Sequence, residues 1–502
     1  MHSLGSRLSA AVAVILVTVL VTAAARSGAE IKYNEEEPDH ITTESAYSLG
    51  KYTMHLWYTD ESLSDYLNYV AVAYNSSNEE YRVVPELVSG REYLEHISEA
   101  SMTDEDLPDL YITTNDTLVK AHLAGLADPI IPPVGTDLRD VFSKTSLNAV
   151  TFHSQMIAYP LFMECSALCY NYTYLRDWAM ATLEAENSAV QAEATAVGDG
   201  STQTEAADAG DGSTQTEAAD TEDSSVPAFT VGDEEIDAYV EAHLPDSYDR
   251  LLEFSDAYDA PEGVDSIFKW AVTDIFYNYF FIGDSISIGG EFGDDTSAID
   301  IYNEDAVSGL RSYQALNQFF SINTDDVSYD GLMDEFIDGK LVMTIATTDA
   351  VKRLKNAANE GRLEFEYRFA ALPDMSDTIP ARSLSVTDAV AVNGYSPRKD
   401  AANDFAMYLC SADSRELFDW TGKVSTLKTA SFGDDTGFLE VFRQEYERSV
   451  PLPKMIETSN YWVNLEMLFA SVWNGDDPDK ELKELNDQIL LQLPGHAPEE
   501  EQ

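Results

Sequence analysis

The sequence predicts an α/β protein in which parallel strands are joined by crossover helices. Two stretches and one bulk property predict it. Residues 52–113 alternate strand-like and helix-like patterns at the pitch of strand–helix–strand units. Residues 157–171, IAYPLFMECSALCYN, form an apolar run too short and Pro-flanked for a helix and too apolar for a surface loop. With 502 residues, 44% of them apolar and 11% aromatic, the chain has globular composition and length enough for two or three domains with full cores.

From the start of the chain, Arg7 precedes an unbroken run of apolar and small residues at 8–25. Ala23-Ala24-Ala25 and Ser27-Gly28-Ala29 offer the small-x-small pattern of a signal-peptidase site, so residues 1–29 read as a signal peptide. The run is almost long enough to span a bilayer, which makes an uncleaved signal anchor the alternative. Residues 30–50 are acidic, polar and non-periodic, the composition of a linker. The folded part begins near Lys51. Residues 52–58 alternate as a strand, and Leu63, Tyr66, Leu67, Val70, Ala73 and Tyr74 then mark one face of a helix. Residues 81–87 and 110–113 read as the second and third strands. A parallel sheet of this kind binds its ligands beyond the carboxyl ends of its strands.

In the run 157–171, Pro160 lacks an N–H for a central ladder and belongs at the start or edge of its strand. Glu164 is a lone carboxylate in an apolar strand, costly unless something satisfies it. Either it pairs with an internal Arg or lies at the strand's solvated end, or it faces a cleft and accepts hydrogen bonds from a bound solute.

At these residues the chain resembles the extracellular solute-binding proteins of ABC importers, in the subgroup typified by maltose-binding protein. The pattern IAYP-x3-E-x-x-x-L-x-YN is complete, with Ile157, Ala158, Tyr159, Pro160, Glu164, Leu168, Tyr170 and Asn171. The resemblance implies a two-lobed, periplasmic-binding-protein-like α/β fold whose hinge is crossed three times, the first time at this run. It divides the chain into a first lobe of residues 51–163 and 373–424 and a second lobe of 164–372 and 425–490. An acidic tail, 491–502, follows.

Residues 184–227 interrupt the second lobe. They are mostly Ala, Glu, Asp, Thr, Ser and Gly, and GDGSTQTEAAD occurs twice, at 198–208 and 210–220. This composition predicts a disordered surface insertion. Beyond it, 243–256 reads as a helix starting at Pro245, and 304–320 as a helix burying Ala306, Leu310, Tyr313, Asn317 and Phe320. The resemblance adds an aromatic helix at 268–282 and the pair Gly289-Gly290. It also matches F-x-x-G-x-x-A-M to Phe336, Gly339, Val342 and Met343, where Gly339 can end a helix before a strand. Residues 369–373 and 422–425 then become the second and third crossings. Ser396-Pro397 opens a helix running through Cys410, with another from Ser411.

The charge balance limits the partners. Ninety acidic against 30 basic residues give a net charge of −60, so nucleic acid and anionic membrane surfaces are excluded as partners. Cys165, Cys169 and Cys410 make no disulfide framework; in one extended strand the first two lie about 13 Å apart, beyond disulfide reach. They read as packing. The eight histidines show no HExxH or paired-ligand spacing, and Walker, G-x-G-x-x-G, G-x-S-x-G and Cys–His signatures are missing, so the sequence calls for no metal, cofactor or enzymatic role. The residues from Asp326 imitate a calcium loop but end in Ile337, where a bidentate Glu is required. A cysteine for lipid attachment is missing after the apolar run.

A sugar presents a C–H face to aromatic rings and hydroxyl pairs to carboxylates. By resemblance, the ligand contacts fall at Trp57, Tyr58 and Asp60 after the first strand, Asp116 after the third, and Glu164 at the crossing. The second lobe supplies Asp274, Tyr277, Tyr461 and Trp462. The family's aromatic after the F-x-x-G-x-x-A-M strand is replaced around 347–349, which argues against a maltodextrin-specific pocket. The chain therefore reads as the extracytoplasmic, monomeric binding component of an ABC importer, handing a small solute, a carbohydrate first, to permease subunits. The alternatives are a polyamine or other cationic-solute binder, and a membrane-anchored sensor or surface-binding protein on the same fold.

Overall fold

Tyr52–Tyr58 and Tyr81–Leu87 pair in parallel over their whole length, and Leu110–Thr114 joins the other edge of Tyr52–Tyr58, also parallel. These strands belong to a computed structural model that describes residues 50–103, 107–198, 231–320, 322–324, 327–430, 437–455 and 461–493. The signal segment, nearly all of the linker, most of the insertion and the last tail residues lie outside the described residues.

The helix Ser64–Ser77 links the first two strands and buries Tyr66, Leu67, Val70, Ala71 and Tyr74 against the sheet. The sheet continues through Leu384–Val392, Tyr159–Glu164 and Val424–Ser425, with Val450–Pro451 pairing the start of Leu384–Val392. Here the predicted parallel order ends. Leu384–Val392 runs antiparallel to both Leu110–Thr114 and Tyr159–Glu164. The chain enters Leu384–Val392 straight from Tyr367–Ala370 of a second sheet, without the crossover helix that parallel pairing requires.

That second sheet has the order Tyr367–Ala370, Ser166–Asn171, Leu341–Thr347, Ser266–Phe268. The apolar run at 157–171 is therefore two strands, one in each sheet, separated by Cys165 alone. Cys165 is buried and donates its thiol to the carbonyl of Phe442 at 3.2 Å. Pro160 is the second residue of its strand, opposite the point where the Leu384–Val392 register shifts between Asp388 and Ala389, so its missing N–H breaks no regular ladder. The chain returns between Tyr367–Ala370 and Leu384–Val392. It leaves again after Val424–Ser425 into the helix Phe438–Arg448, whose Phe438 and Phe442 pack on Phe369 of the second sheet.

Each sheet has its own apolar core. Leu56, Tyr66, Phe162 and Phe405 lie in the first; Phe268, Trp270, Phe336, Phe469 and Trp473 lie in the second. All three cysteines are free and buried. Glu304–Phe320 is a helix with Ala306, Leu310, Tyr313 and Leu316 inside, while Asn317 reaches across to donate to the carbonyl of Trp473. Gly339 follows the helix Tyr329–Ile337 with φ +73°, and the fully buried strand Leu341–Thr347 starts two residues on.

Several sequence expectations shift. No long helix covers 268–282: strand Ser266–Phe268 is followed by a loop, a turn of helix at Ile275–Asn278 and a 3-10 turn at Tyr279–Phe281. Trp270 and Asn278 fix that loop, the indole N–H donating to the amide oxygen at 2.8 Å while the Asn278 amide donates to the carbonyl of Ala271. The helix expected from Pro245 starts at Tyr248, because Asp233–His243 is already a helix that ends just before the proline. Lys399, not Pro397, opens the helix through Cys410, and the next begins at Ser414 with Asp413 as its cap. The start of the insertion is ordered too: the helix Tyr172–Gly198 runs well past residue 184, as the high helix propensity of its Ala and Glu residues allows.

Candidate functional site

Strand alternation decides which side chains meet. Phe162 and Glu164 point to one face of the first sheet. Across the ladder, Asp388 pairs with Phe162 and Val386 with Glu164, so Asp388 lies on that face as well; Thr114 pairs with Asp388 from the other side. Met163 and Thr387 point to the reverse face, where Thr387 shares a 2.6 Å hydrogen bond with the Tyr446 hydroxyl.

Lys423, just before Val424–Ser425, reaches the first face. Its ammonium sits 5.1 Å from the Phe162 ring centroid and 3.0 Å from the carboxylate of Asp60. Asp60 caps the short 3-10 turn after the first strand, accepting from the backbone N–H of Ser62 at 2.9 Å. Asp116, just after the third strand, accepts from the Thr114 hydroxyl, and its charge is felt by Asp388. Asp60, Asp116, Glu164 and Asp388 thus share one face with a single lysine.

The second lobe faces them with rings and a further carboxylate. Tyr277 and Tyr329 stack with centroids 4.9 Å apart. The Tyr329 hydroxyl donates to Asp349 at 3.0 Å and accepts from the backbone N–H of Thr347 at 3.2 Å; the Thr347 hydroxyl donates to Asp349 as well. The charges couple across the lobe boundary: Glu164 feels Asp349, and Tyr277 feels both Asp349 and Glu164.

These surroundings shift the titrating groups. Burial pushes the Asp388 carboxyl up to about 7, with Lys423 opposing and Glu164, Asp60 and Asp116 adding to the rise. Glu164 is raised for the same first reason, against Lys423 and with Asp349 and Asp60. Burial works to raise Asp60, yet the bonds from Ser62 and Lys423 outweigh it and leave it below its usual range. Burial also works against the Lys423 ammonium, but Asp60, Glu164 and Asp388 together hold it charged above its usual range. Burial raises the Tyr277 phenol, and the charges of Asp274, Asp349 and Glu164 add to the rise.

Of the residues the sequence put forward, the structure brings together Asp60, Asp116, Glu164 and Tyr277. Asp274 stands one step back: it caps the helical turn that carries Tyr277, accepting from the backbone N–H of Phe276 at 2.9 Å. Trp462 is half-buried on the helix Tyr461–Trp473, one turn before Glu466, whose carboxyl feels Asp274, so it borders the set. Three others are structural. Trp57 donates its indole N–H to Glu86 at 2.9 Å, on the next strand, where Glu86 also holds His55. Tyr58 is buried in the first core with its hydroxyl on Ser64, because alternation turns it away from its neighbour Trp57. Tyr461 is buried in the second core. Although it is the first residue of its helix, Tyr461 turns inward.

Asp388, Lys423, Asp349, Tyr329 and Phe162 were not among the sequence candidates. Asp388 carried the same signal as Glu164, a lone carboxylate in the apolar strand LSVTDAVAV, and Lys423 is the one basic residue of the third crossing. Asp349 stands where the family's aromatic was missing.

Among the described residues, no three His, Cys, Asp or Glu side chains converge as metal ligands. Among them, too, no helix is long and apolar enough to cross a membrane.

The fold is that of known solute-binding structures. An extracellular solute-binding protein from Staphylococcus aureus, solved with maltose, is 15% identical over 87% of this chain and 96% of its own, with a TM-score of 0.64. A cyclo/maltodextrin-binding protein solved with maltotetraose is 17% identical over 88% and 98%, TM-score 0.64. The maltose-maltodextrin binding protein of Alicyclobacillus acidocaldarius is 14% identical over 87% and 100%, TM-score 0.58. No curated protein sequence matches the chain significantly. Residues 70–436, which hold the second sheet, the first sheet apart from Tyr52–Tyr58 and Val450–Pro451, and every member of the cleft set except Asp60, match a known family along their length: the chain belongs to the bacterial extracellular solute-binding proteins.

Proposed function

We propose that this chain captures a small polyhydroxylated solute, a sugar or short oligosaccharide, between its lobes and delivers it to the permease subunits of an ABC importer. The observation that carries this reading is the meeting, at the lobe boundary, of carboxylates from the first sheet with the stacked Tyr277 and Tyr329 of the second lobe. Carboxylates accept from paired hydroxyls, and ring faces take the C–H side of a pyranose. The likeness to proteins solved with maltose and maltotetraose supports the same class of solute.

Capture proceeds by closure about the crossings, of which the first has the single residue Cys165 between its two sheets. The protein acts as an exported monomer, reaching the outer side of the membrane through its N-terminal signal, and performs no chemical step on the solute. A thermal-shift screen of mono- and oligosaccharides tests the reading, since a solute bound only by the folded chain raises its melting temperature. Binding at a concentration a hundredfold above Kd stabilises by about 2.7 kcal/mol. A panel of saccharides that leaves the melting temperature unmoved contradicts the reading.

A further inference from the structure

Elsewhere among the described residues, two carboxylates with almost no exposure each have a cation of their own. Asp109, fully buried, lies 3.1 Å from Arg398, and Glu445, 2% exposed, lies 2.7 Å from Arg448. The cleft breaks that pattern. Asp60, Glu164 and Asp388 share one cation among the described residues, Lys423, which Asp60 already engages at 3.0 Å, while Asp116 and, from the other lobe, Asp349 add further negative charge. Glu164 and Asp388 are each only partly exposed and have no hydrogen-bonding partner among the described residues.

Closing the lobes around a neutral solute would desolvate these carboxylates further and drive them to bind protons. A cation in the solute removes that cost. Among the described residues no three ligand groups converge as they would around a metal ion. The aromatic wall formed by Tyr277 and Tyr329 suits an organic cation, whose charge ring faces attract and whose carbon skeleton they cover.

We infer that the solute carries a protonated amine, seated between Glu164 and Asp388 and against Tyr277. This rests on the reading of the cleft as the solute site; an amino sugar narrows the proposed saccharide class, and an open-chain polyamine replaces it. The ammonium belongs to an amino sugar or to an open-chain polyamine; the hydroxyl-accepting carboxylates Asp60 and Asp116 suit the former.

The test is calorimetric titration of the full chain at neutral pH with 6-amino-6-deoxy-D-glucose, spermidine and D-glucose. Each is measured at low salt and near 1 M salt, where charge attraction is screened within about 3 Å. The expected result is at least tenfold tighter binding of an amine than of glucose, with the advantage shrinking several-fold at high salt. Asp388→Asn and, separately, Asp349→Asn should each reduce the amine's advantage while leaving the melting temperature within a few degrees; two variants on different lobes keep the test independent of one variant's folding. Tighter binding of the amino sugar than of spermidine assigns the ring, and the reverse assigns the open-chain amine. Glucose binding as tightly as both amines overturns the inference and leaves the saccharide reading standing. Glucose failing along with both amines overturns the inference, and failure of the wider saccharide panel then takes the saccharide reading with it.

Discussion

Lys423 holds its ammonium 3.0 Å from the Asp60 carboxylate, tying the third crossing to the loop after the first strand. The two residues are 363 positions apart in sequence, and both are partly exposed, so the pair is worth only about 1 kcal/mol by itself. Its larger effect is on the neighbours, because the same charge opposes the rise in Glu164 and Asp388.

Replacing Lys423 by Met keeps a stem over Phe162 and removes the charge. The unliganded variant should lose about 1–2 kcal/mol of stability at neutral pH. The loss should be smaller in acid, where Glu164 and Asp388 bind protons and no longer repel. Denaturant unfolding curves at the two pH values check both parts.

Asp388 gives the free protein a pH-dependent stability. Its carboxyl titrates near 3.8 unfolded and at about 7 folded, so between those values the folded state holds a proton that the unfolded state has released. Stability from this group is fully present below the lower value and falls as pH rises through the upper one. Glu445, also raised to about 7, contributes in the same direction. Lys454, lowered by burial from 10.5 to about 7, contributes rising stability above neutrality. Asp388→Asn should therefore flatten the decline between about pH 4 and pH 7. Melting temperatures across that range, for both proteins in the absence of solute, decide it.

Two aromatic substitutions separate cleft from scaffold. Trp57→Phe removes the bond to Glu86 and should cost about 1 kcal/mol of stability with no change in solute affinity. Tyr277→Ala removes a face of the stack and should weaken binding about tenfold or more. Titration and unfolding of both variants give the comparison. Weakened binding in Trp57→Phe would return that residue to the site.

The strands that alternate cleanly were legible in sequence. Tyr52–Tyr58, Tyr81–Leu87 and the helix Glu304–Phe320 emerge with the expected bounds; in the first strand and the helix one buried and one wetted face impose a period on the residues. The crossing at 157–171 was legible as buried but not as two strands, since both halves are apolar on both faces and Cys165 carries no turn signal. The aromatic stretch from Phe268 lacked any period, and its chain path depends on the bonds of Asn278, which no local pattern announces. In the site, Glu164 was visible as a lone charge in an apolar strand. Asp349 was hidden among 90 acidic residues, and Lys423 meets its partner only after the chain has folded.

The central claim is that Glu164 touches the solute. Its most direct test is calorimetric titration of Glu164→Gln with the solute that most raises the melting temperature of the parent protein. Gln keeps the size and one acceptor but loses the charge, and a charge-assisted hydrogen bond is worth about 1.5–3 kcal/mol. The account predicts at least about tenfold weaker binding with the unliganded melting temperature unchanged. Parent-like affinity in a normally folded Glu164→Gln would contradict it.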